Sequence, residues 1–506
     1  EINVLNGYED MKLDNFSGAV DVFRNLKGDP TLISQYMRPL FVAVKARNKI
    51  GEVGDTNLFD MFVINEHAIP AGEYTVRAGV TTPQGASRLL YTGKVKVSAG
   101  DKFSDLAAEK IAVPLNAGKG YYAIRAELLD ATGKPIATGH EEIFAVDWKS
   151  DRIAGKGAVL GGSPDLMHFA VDAKKANVVP YKDDLGRLDY IVAGSIGQED
   201  TFKPISAFDF RTTDRNRPGL NLDYFRGQNF EQRIDQRIST ATLGFNLEGK
   251  PIPGYDILGN SDFSLRWEGF LIPEVSGSTE FELRCDDGAK IWLDGKVVAD
   301  AWQNGPARTM TFKVELVAGK SIPIKIEAYQ ATGTWEFALR WKPPVVPTTV
   351  DIEKMLKRVH DDGTKLIILE GAENWVNDLK SRKVLPDFKI FHPSKTWVGS
   401  NYFVRQHPFF QDLPVNGGMN WEYQTLVMYD GPNHFGLYDM NGEEPVVSLV
   451  GGSSHLVATS VGVVPYGRGK IAFSDLDLAP NLSADSKASA VPKKIFCNFL
   501  KWGSQP

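Results

Sequence analysis

Read as a pattern of hydrophobic and polar positions, the chain changes its period repeatedly. Residues 1–38 include "SGAVDVFRNLKGDPTLISQYM", where apolar residues recur at helical spacing until "GDP" breaks the run. This predicts a short helical piece, too small to stand alone, that reads as the tail of a preceding domain. Over 39–150 the period drops to two in "LFVAVKARNKI", "NLFDMFVIN", "GEYTVRAGVTT", "RLLYTGKVKVS" and "YYAIRAELLD", with Gly, Pro or Asp in the gaps. Short alternating strands at that spacing predict a two-sheet β-sandwich. At Lys156 the pattern changes again. "KGAVLGG" is a short buried strand, "SPDLMHFAVDAKKAN" a helix with Ser163 as N-cap and Pro164 at its first position, and "LDYIVAGSIG" a second buried strand. Such alternation predicts a parallel sheet with crossover helices.

That alternation stops at "TFKPISAFDF" and resumes only at "TTVDIEKMLKRVHDDG" and "TKLIILEG", ending in the helix "AVPKKIFCNFLKW". Between the two lies a stretch of strand and turn only. The simplest organisation is an insertion, which surface loops tolerate well. It gives an immunoglobulin-like sandwich at 39–150, a discontinuous α/β domain at 151–206 and 346–506, and an inserted all-β sandwich at 207–345. The expected fold class is therefore multidomain: an all-β immunoglobulin-like sandwich plus an α/β domain that carries an inserted all-β sandwich.

Composition narrows the function classes. The 506 residues exceed one hydrophobic core, and 42% hydrophobic with 24% charged residues fits a folded, water-exposed protein without a membrane span. A net charge of −6 and the lack of a basic, aromatic-studded stripe argue against nucleic acid. Two cysteines, Cys285 and Cys497, form neither a disulfide framework nor a CxxC pair. The opening "EINVLNGYEDMKLDNF" has no initiator Met and no signal-peptide layout, so the chain reads as a mature product or an excised fragment.

"LRCDDGAKIWLDGKVVADAW" carries the most distinctive chemistry: adjacent Asp286 and Asp287, a second Asp-Gly, and a closing Trp302. Asp-Asp-Gly is good turn chemistry, and the two adjacent carboxylates also leave open a metal site or a sugar site. Asn304 and Asp300 are candidate further donors. Together with "NLDYFRGQNFEQRI", "DFSLRWEGFLIPEVSGSTEFELRC" and "VELVAGKSIPIKIEAYQATGTWEFALRW", the stretch resembles a PA-14 (protective antigen) domain over about a quarter of the chain. The resemblance implies a sandwich that binds carbohydrate, with Asp286 and Asp287 holding calcium that coordinates vicinal sugar hydroxyls. Trp302, Tyr255 and Trp335 are the aromatic candidates for stacking on a pyranose. Trp267, Trp292 and Trp341 fall in or beside strands, where most aromatic content is core.

The interrupted α/β part is similar to the class I glutamine amidotransferase-like fold of the trehalose-utilisation type. Its nucleophile elbow falls on "LIILEGAENW", where Gly371, Ala372 and Glu373 offer no thiol, and Cys497 lies far off in the last helix. "AGSIG", with Ser195, has the outline of a hydrolase elbow, for which His434 or His455 would be bases. It leads into "QEDTFKP" rather than a helix. Glu370 and Glu373 at a strand end are a candidate sugar-facing patch. The N-terminal "NLKGDPTLISQYMRPLFVAVKARNKIGEVGDTNLFDMFVIN" is similar to the stretch that follows the catalytic barrel in glycoside hydrolase family 2 enzymes such as β-galactosidases. The paired glutamates of that family sit on barrel strands this chain lacks. The expectation is thus a carbohydrate-binding and structural region of a secreted or periplasmic glycosidase, partnered by a polysaccharide and by the parent's catalytic domain. The alternatives are a hydrolase acting through Ser195 or Glu373, and a purely structural module that forms a homo-oligomer.

Overall fold

The computed structural model describes residues 38–98, 102, 104–195, 202–239, 243–246, 258–259, 261–273, 276–342, 350–392, 401–426, 435–450, 456–476, 478–484 and 486–505. Residues 1–37 of the expected helical tail at 1–38, together with Tyr255, His434 and His455, lie outside them. The chain divides into two compact units, one of 1–151, 393–424 and 449–457, the other of the remainder. The stretches 393–424 and 449–457, expected from sequence in the α/β domain, thus belong by compactness with the N-terminal unit.

In the first unit, alternation produces two sheets. One has the order Ile50–Glu52, Pro135–Val146, Gly120–Leu129, Gly72–Thr81, Ser87–Val97, and the other Leu40–Ala46, Thr56–Asn65, Ser104–Pro114. Along Gly120–Leu129 the inward Tyr122, Ile124, Ala126 and Leu128 are fully buried and meet Val42, Phe59, Met61 and Val63 of the facing sheet. Tyr122 keeps its hydroxyl satisfied by accepting from Ala117 N (2.8 Å) and donating to Gly118 O (3.0 Å), which pins the turn before its own strand. Its neighbour Tyr121 faces out and donates to Glu422 Oε1 at 2.5 Å, while Lys49 lies 4.3 Å from the Trp421 ring centre.

In the second unit, Val178–Pro180, Gly157–Leu160, Tyr190–Ala193, Lys365–Ile368 and Gly469–Ser474 form a parallel sheet, extended antiparallel by Val457–Tyr466. Gly157–Leu160, Tyr190–Ala193 and Lys365–Ile368 are buried at every position, which is why they read as continuous apolar runs rather than alternation. Tyr190–Ala193 pairs directly with Lys365–Ile368, so the intervening β segment leaves and re-enters between adjacent strands of one sheet. The helix after Ser163 is shorter than expected: Pro164–His168 is α-helical, then Phe169–Ala173 widens to a π turn. Ser163 stands at the N-cap, but its side chain makes no capping bond, and its N–H instead donates to Glu370 Oε2 at 2.7 Å. The final helix Ala490–Gly503 is buried nearly throughout, and the buried Lys365 ammonium ties its end by donating to Trp502 O and Gln505 O. No helix among the described residues is long and apolar enough to cross a membrane.

The inserted segment is a second sandwich. Its larger sheet runs Gln232–Ser239, Leu220–Arg226, Phe263–Leu271, Ile322–Gln330, Gly288–Leu293, Lys296–Ala301, and the smaller runs Lys203–Pro204, Glu336–Lys342, Gly277–Asp286, Arg308–Leu316. Trp267 stacks on Phe337 across the core with 5.1 Å between ring centres. Ile291 and Leu293 are buried and Trp292 is half-buried on the other face, as strand alternation requires. The turn at "LDGK" has positive φ at both Asp294 (51°) and Gly295 (76°), the primed geometry that matches strand twist.

One buried carboxyl links this sandwich's stem to the α/β part. Asp165 is 1% exposed, and burial pushes its pKa up to about 6; the nearby Glu370 charge adds to the rise while the Ser483 and Ser206 hydroxyls oppose it. Because the folded state prefers the neutral acid, its stabilising contribution is full below the unfolded value of about 3.9 and is lost as pH rises through about 6. The difference is on the order of 3 kcal/mol. We expect Asp165→Asn to remove that part of the pH dependence, measured by urea denaturation between pH 4 and pH 7; an unchanged slope would refute the assignment.

Candidate functional site

The strand Gly277–Asp286 belongs to the smaller sheet and Gly288–Leu293 to the larger, so the chain changes sheets at Asp286 and Asp287. The peptide bond between the two aspartates is cis. Gly288 is required next, because a Cβ there would lie 2.0 Å from the Tyr329 ring. Asp287 is 5% exposed, and both its carboxylate oxygens are engaged: Oδ1 accepts from Gly305 N (3.0 Å) and Oδ2 from Ala331 N (2.8 Å). Asp286 Oδ2 accepts from the Thr334 hydroxyl at 3.3 Å. The crossover thus holds two further loops, one after Ala301 and one after Gln330. Burial first, and then the Asp287 charge, raise the pKa of Asp286 above its ordinary value.

Arg308 opens its strand directly opposite Cys285, one residue before the pair. Its Nη2 donates to the main-chain oxygens of Asp287 and Gln303. Beside this corner the half-buried Trp302 ring lies between Tyr329 (4.7 Å between centres) and Phe230 (5.9 Å, near-parallel). Tyr329 donates its hydroxyl to Asn304 Oδ1 at 2.6 Å, leaving the Asn304 amide nitrogen at an exposed loop tip. The result is a rim with an aromatic platform, exposed amides of Gln303 and Asn304, and two carboxylates at its base. Such a surface offers C–H faces a stacking partner and hydroxyls their acceptors and donors.

Of the residues expected from sequence, Asp286, Asp287, Trp302 and Asn304 come together here. Trp335 does not: it is 1% exposed and packs edge-on against Phe263 at 5.5 Å, so the expectation that it stacks on a ligand is corrected to a core role. Asp300 is also corrected as a donor to this corner. It faces Lys290, with Nζ to Oδ2 at 2.6 Å, and accepts from Trp302 N at 3.2 Å. Sequence reading misses Arg308, Tyr329, Phe230 and Thr334. Only Arg308 has a usable signal, as the first charge after the turn-forming "NGPA".

The α/β part presents little chemistry. Gly371 occupies the sharp strand-to-helix turn with φ 60° and caps the helix Ala372–Ser381; no nucleophile stands there. Cys497 is fully buried. The half-buried Glu370 lies against Gly162 and Gly194, where any Cβ would strike its Oε2 at 2.3 or 2.8 Å, so it turns inward rather than toward a sugar. Glu373 Oε1 lies 3.2 Å from His392 Nε2 on the surface. Ser195 O accepts from Gly162 N at 3.3 Å, and among the described residues no helix follows it directly.

The inserted segment is a two-sheet β-sandwich with a carboxylate corner where the chain changes sheets. Residues 216–354 match the PA14 domain family, so a PA14 domain is present in the chain. A stretch of 123 residues, 24% of this chain, is 31% identical to the anti-sigma-I factor RsgI3 of Acetivibrio thermocellus. The match spans about a fifth (19%) of that relative's length. Among solved structures, an anti-sigma factor domain-containing protein from Clostridium clariflavum is similar over 61% of this chain and 87% of its own, at 16% identity and a TM-score of 0.26. The PA14 sugar-binding domain from an RTX adhesin is similar over 25% of this chain and 89% of its own, at 16% identity and a TM-score of 0.22.

The geometry makes Asp287 the structural half of the pair. Asp287→Ala would leave two main-chain donors without an acceptor, for an expected loss on the order of 2–4 kcal/mol, whereas Asp286→Asn should cost about 1 kcal/mol or less. Guanidinium denaturation of the two variants checks this, and equal losses would contradict it.

Proposed function

We propose that this chain is a carbohydrate-binding region, and that its PA14 sandwich captures an oligo- or polysaccharide at the rim of Asp286, Asp287, Trp302 and Asn304. The observation that carries the proposal is the convergence of a half-buried aromatic platform with loop amides and two carboxylates at one end of the sandwich. A binding role also agrees with the glycine at the strand-to-helix turn of the α/β part, where a covalent mechanism needs a nucleophile.

The flanking parts fit an accessory role. The N-terminal two-sheet sandwich is read as immunoglobulin-like, supported by the Tyr122 hydroxyl that bonds back to main chain four and five residues upstream, as in tyrosine corners of such sandwiches. The parallel-sheet part is read as amidotransferase-like without its nucleophile. On this reading the parent is a secreted or periplasmic glycoside hydrolase, of family 2 on the resemblance of the first sandwich, whose barrel performs the chemistry while this region holds substrate.

Glycan-array screening of the intact chain, followed by calorimetric titration of the best ligand, tests the proposal. Trp302→Ala should weaken binding about tenfold, the effect expected for loss of a stacking platform worth about 1–1.5 kcal/mol. No glycan bound by the wild type, or an unaltered affinity in the variant, would remove the rim from consideration.

A further inference from the structure

The resemblance to sugar-binding PA14 domains implies calcium at Asp286 and Asp287, and the residues present do not fit that ion. Calcium takes six to eight oxygens. Among the described residues no three His, Cys, Asp or Glu side chains gather to hold a metal. The chain's own donors already engage four side-chain oxygens at the corner. Both Asp287 oxygens accept main-chain N–H groups, Asp286 Oδ2 accepts the Thr334 hydroxyl, and Asn304 Oδ1 accepts the Tyr329 hydroxyl. Two main-chain oxygens at the corner, those of Asp287 and Gln303, converge on the Arg308 guanidinium.

We propose that Arg308 is a built-in cation that replaces a divalent ion at this rim, so that the domain holds its loops and captures glycan without metal. The proposal rests on the sugar-binding reading for its glycan half only. Strand register fixes the cation in place, since Arg308 pairs with Cys285 beside the aspartates. A guanidinium is well suited to this role, because it stays charged at any physiological pH and can bridge two carbonyls from one nitrogen in a planar fork. It gathers the crossover and the loop after Ala301 around one positive charge, which is what a bound ion would do. A divalent ion within bonding distance of the same carbonyls would meet that fixed charge and would have to displace it.

The decisive experiment uses the intact chain, melted and titrated with calcium chloride or with a chelator present. The wild type should show the same melting temperature in both, no calorimetric calcium binding, and, for any glycan it binds, unchanged affinity. Arg308→Ala should melt about 3–8 °C lower and regain part of that loss in millimolar calcium, because the vacated carbonyls can then turn to the ion. Arg308→Lys should remain indifferent to calcium, and it keeps the test valid if the alanine variant does not fold. Stabilisation of the wild type by calcium, or stoichiometric calcium binding, overturns the proposal. A chain indifferent to calcium that binds no glycan supports the built-in cation and sinks the sugar-binding reading instead.

Discussion

The Asp287 carboxylate is the interaction on which the rest of the PA14 sandwich's working end depends. A chain that crosses between sheets leaves its neighbouring loops without ladder partners, and buried main-chain N–H groups left that way cost about 1–3 kcal/mol each. Asp287 supplies the missing acceptors to Gly305 and Ala331, one from each loop. Once those loops are held, Trp302 is fixed beside Tyr329 and Phe230, and Asn304 is held by the Tyr329 hydroxyl. The arrangement of the rim is therefore a consequence of satisfying backbone at a sheet crossover.

How much of this was legible in the sequence follows from the range of each interaction. Strands buried on one face announce themselves by alternation, so "FELRC", "KIWL" and "IPIKIEAY" read as strands and are strands. The "LDGK" turn was legible because Asp294 and Gly295 must both take positive φ. The all-β segment between two adjacent strands of the parallel sheet was legible because the α/β alternation stops and resumes. What fails are readings that need three-dimensional proximity. Trp335 and Trp302 look alike in sequence, yet the former points into the core against Phe263 and the latter sits on a rim. Asp300 is a plausible oxygen donor until strand pairing places Lys290 opposite it.

Arg308 shows the same limit from the other side. Apart from its place directly after the turn-forming "NGPA", nothing local distinguishes it from Arg284 or Arg340, which also lie on strands of the smaller sheet. Those two pair with Glu336 and Glu282 on the sheet's outer face. Arg308 begins its strand, at the end where loops meet, and so its donors find carbonyls rather than carboxylates. Register decides whether one arginine is surface pairing or part of a site, and register cannot be read from a single strand.

The contrast between the two places where this unit could meet a ligand favours the sandwich rim on physical grounds. Open α/β sheets bind at the carboxyl ends of their strands, where loops diverge and leave a crevice. Here Gly162 and Gly194 bring those loops into backbone contact, and Glu370 fills the remaining space with its own carboxylate held by the Ser163 amide. An anion supplied by the chain itself satisfies the donors that an incoming anion would seek. At the PA14 rim the Asp287 and Asn304 oxygens are engaged within the fold, while the half-buried Trp302 and the exposed Gln303 and Asn304 lie at the surface. A ligand there gains contacts without displacing any that hold the fold, which is the condition for binding that costs the protein little stability.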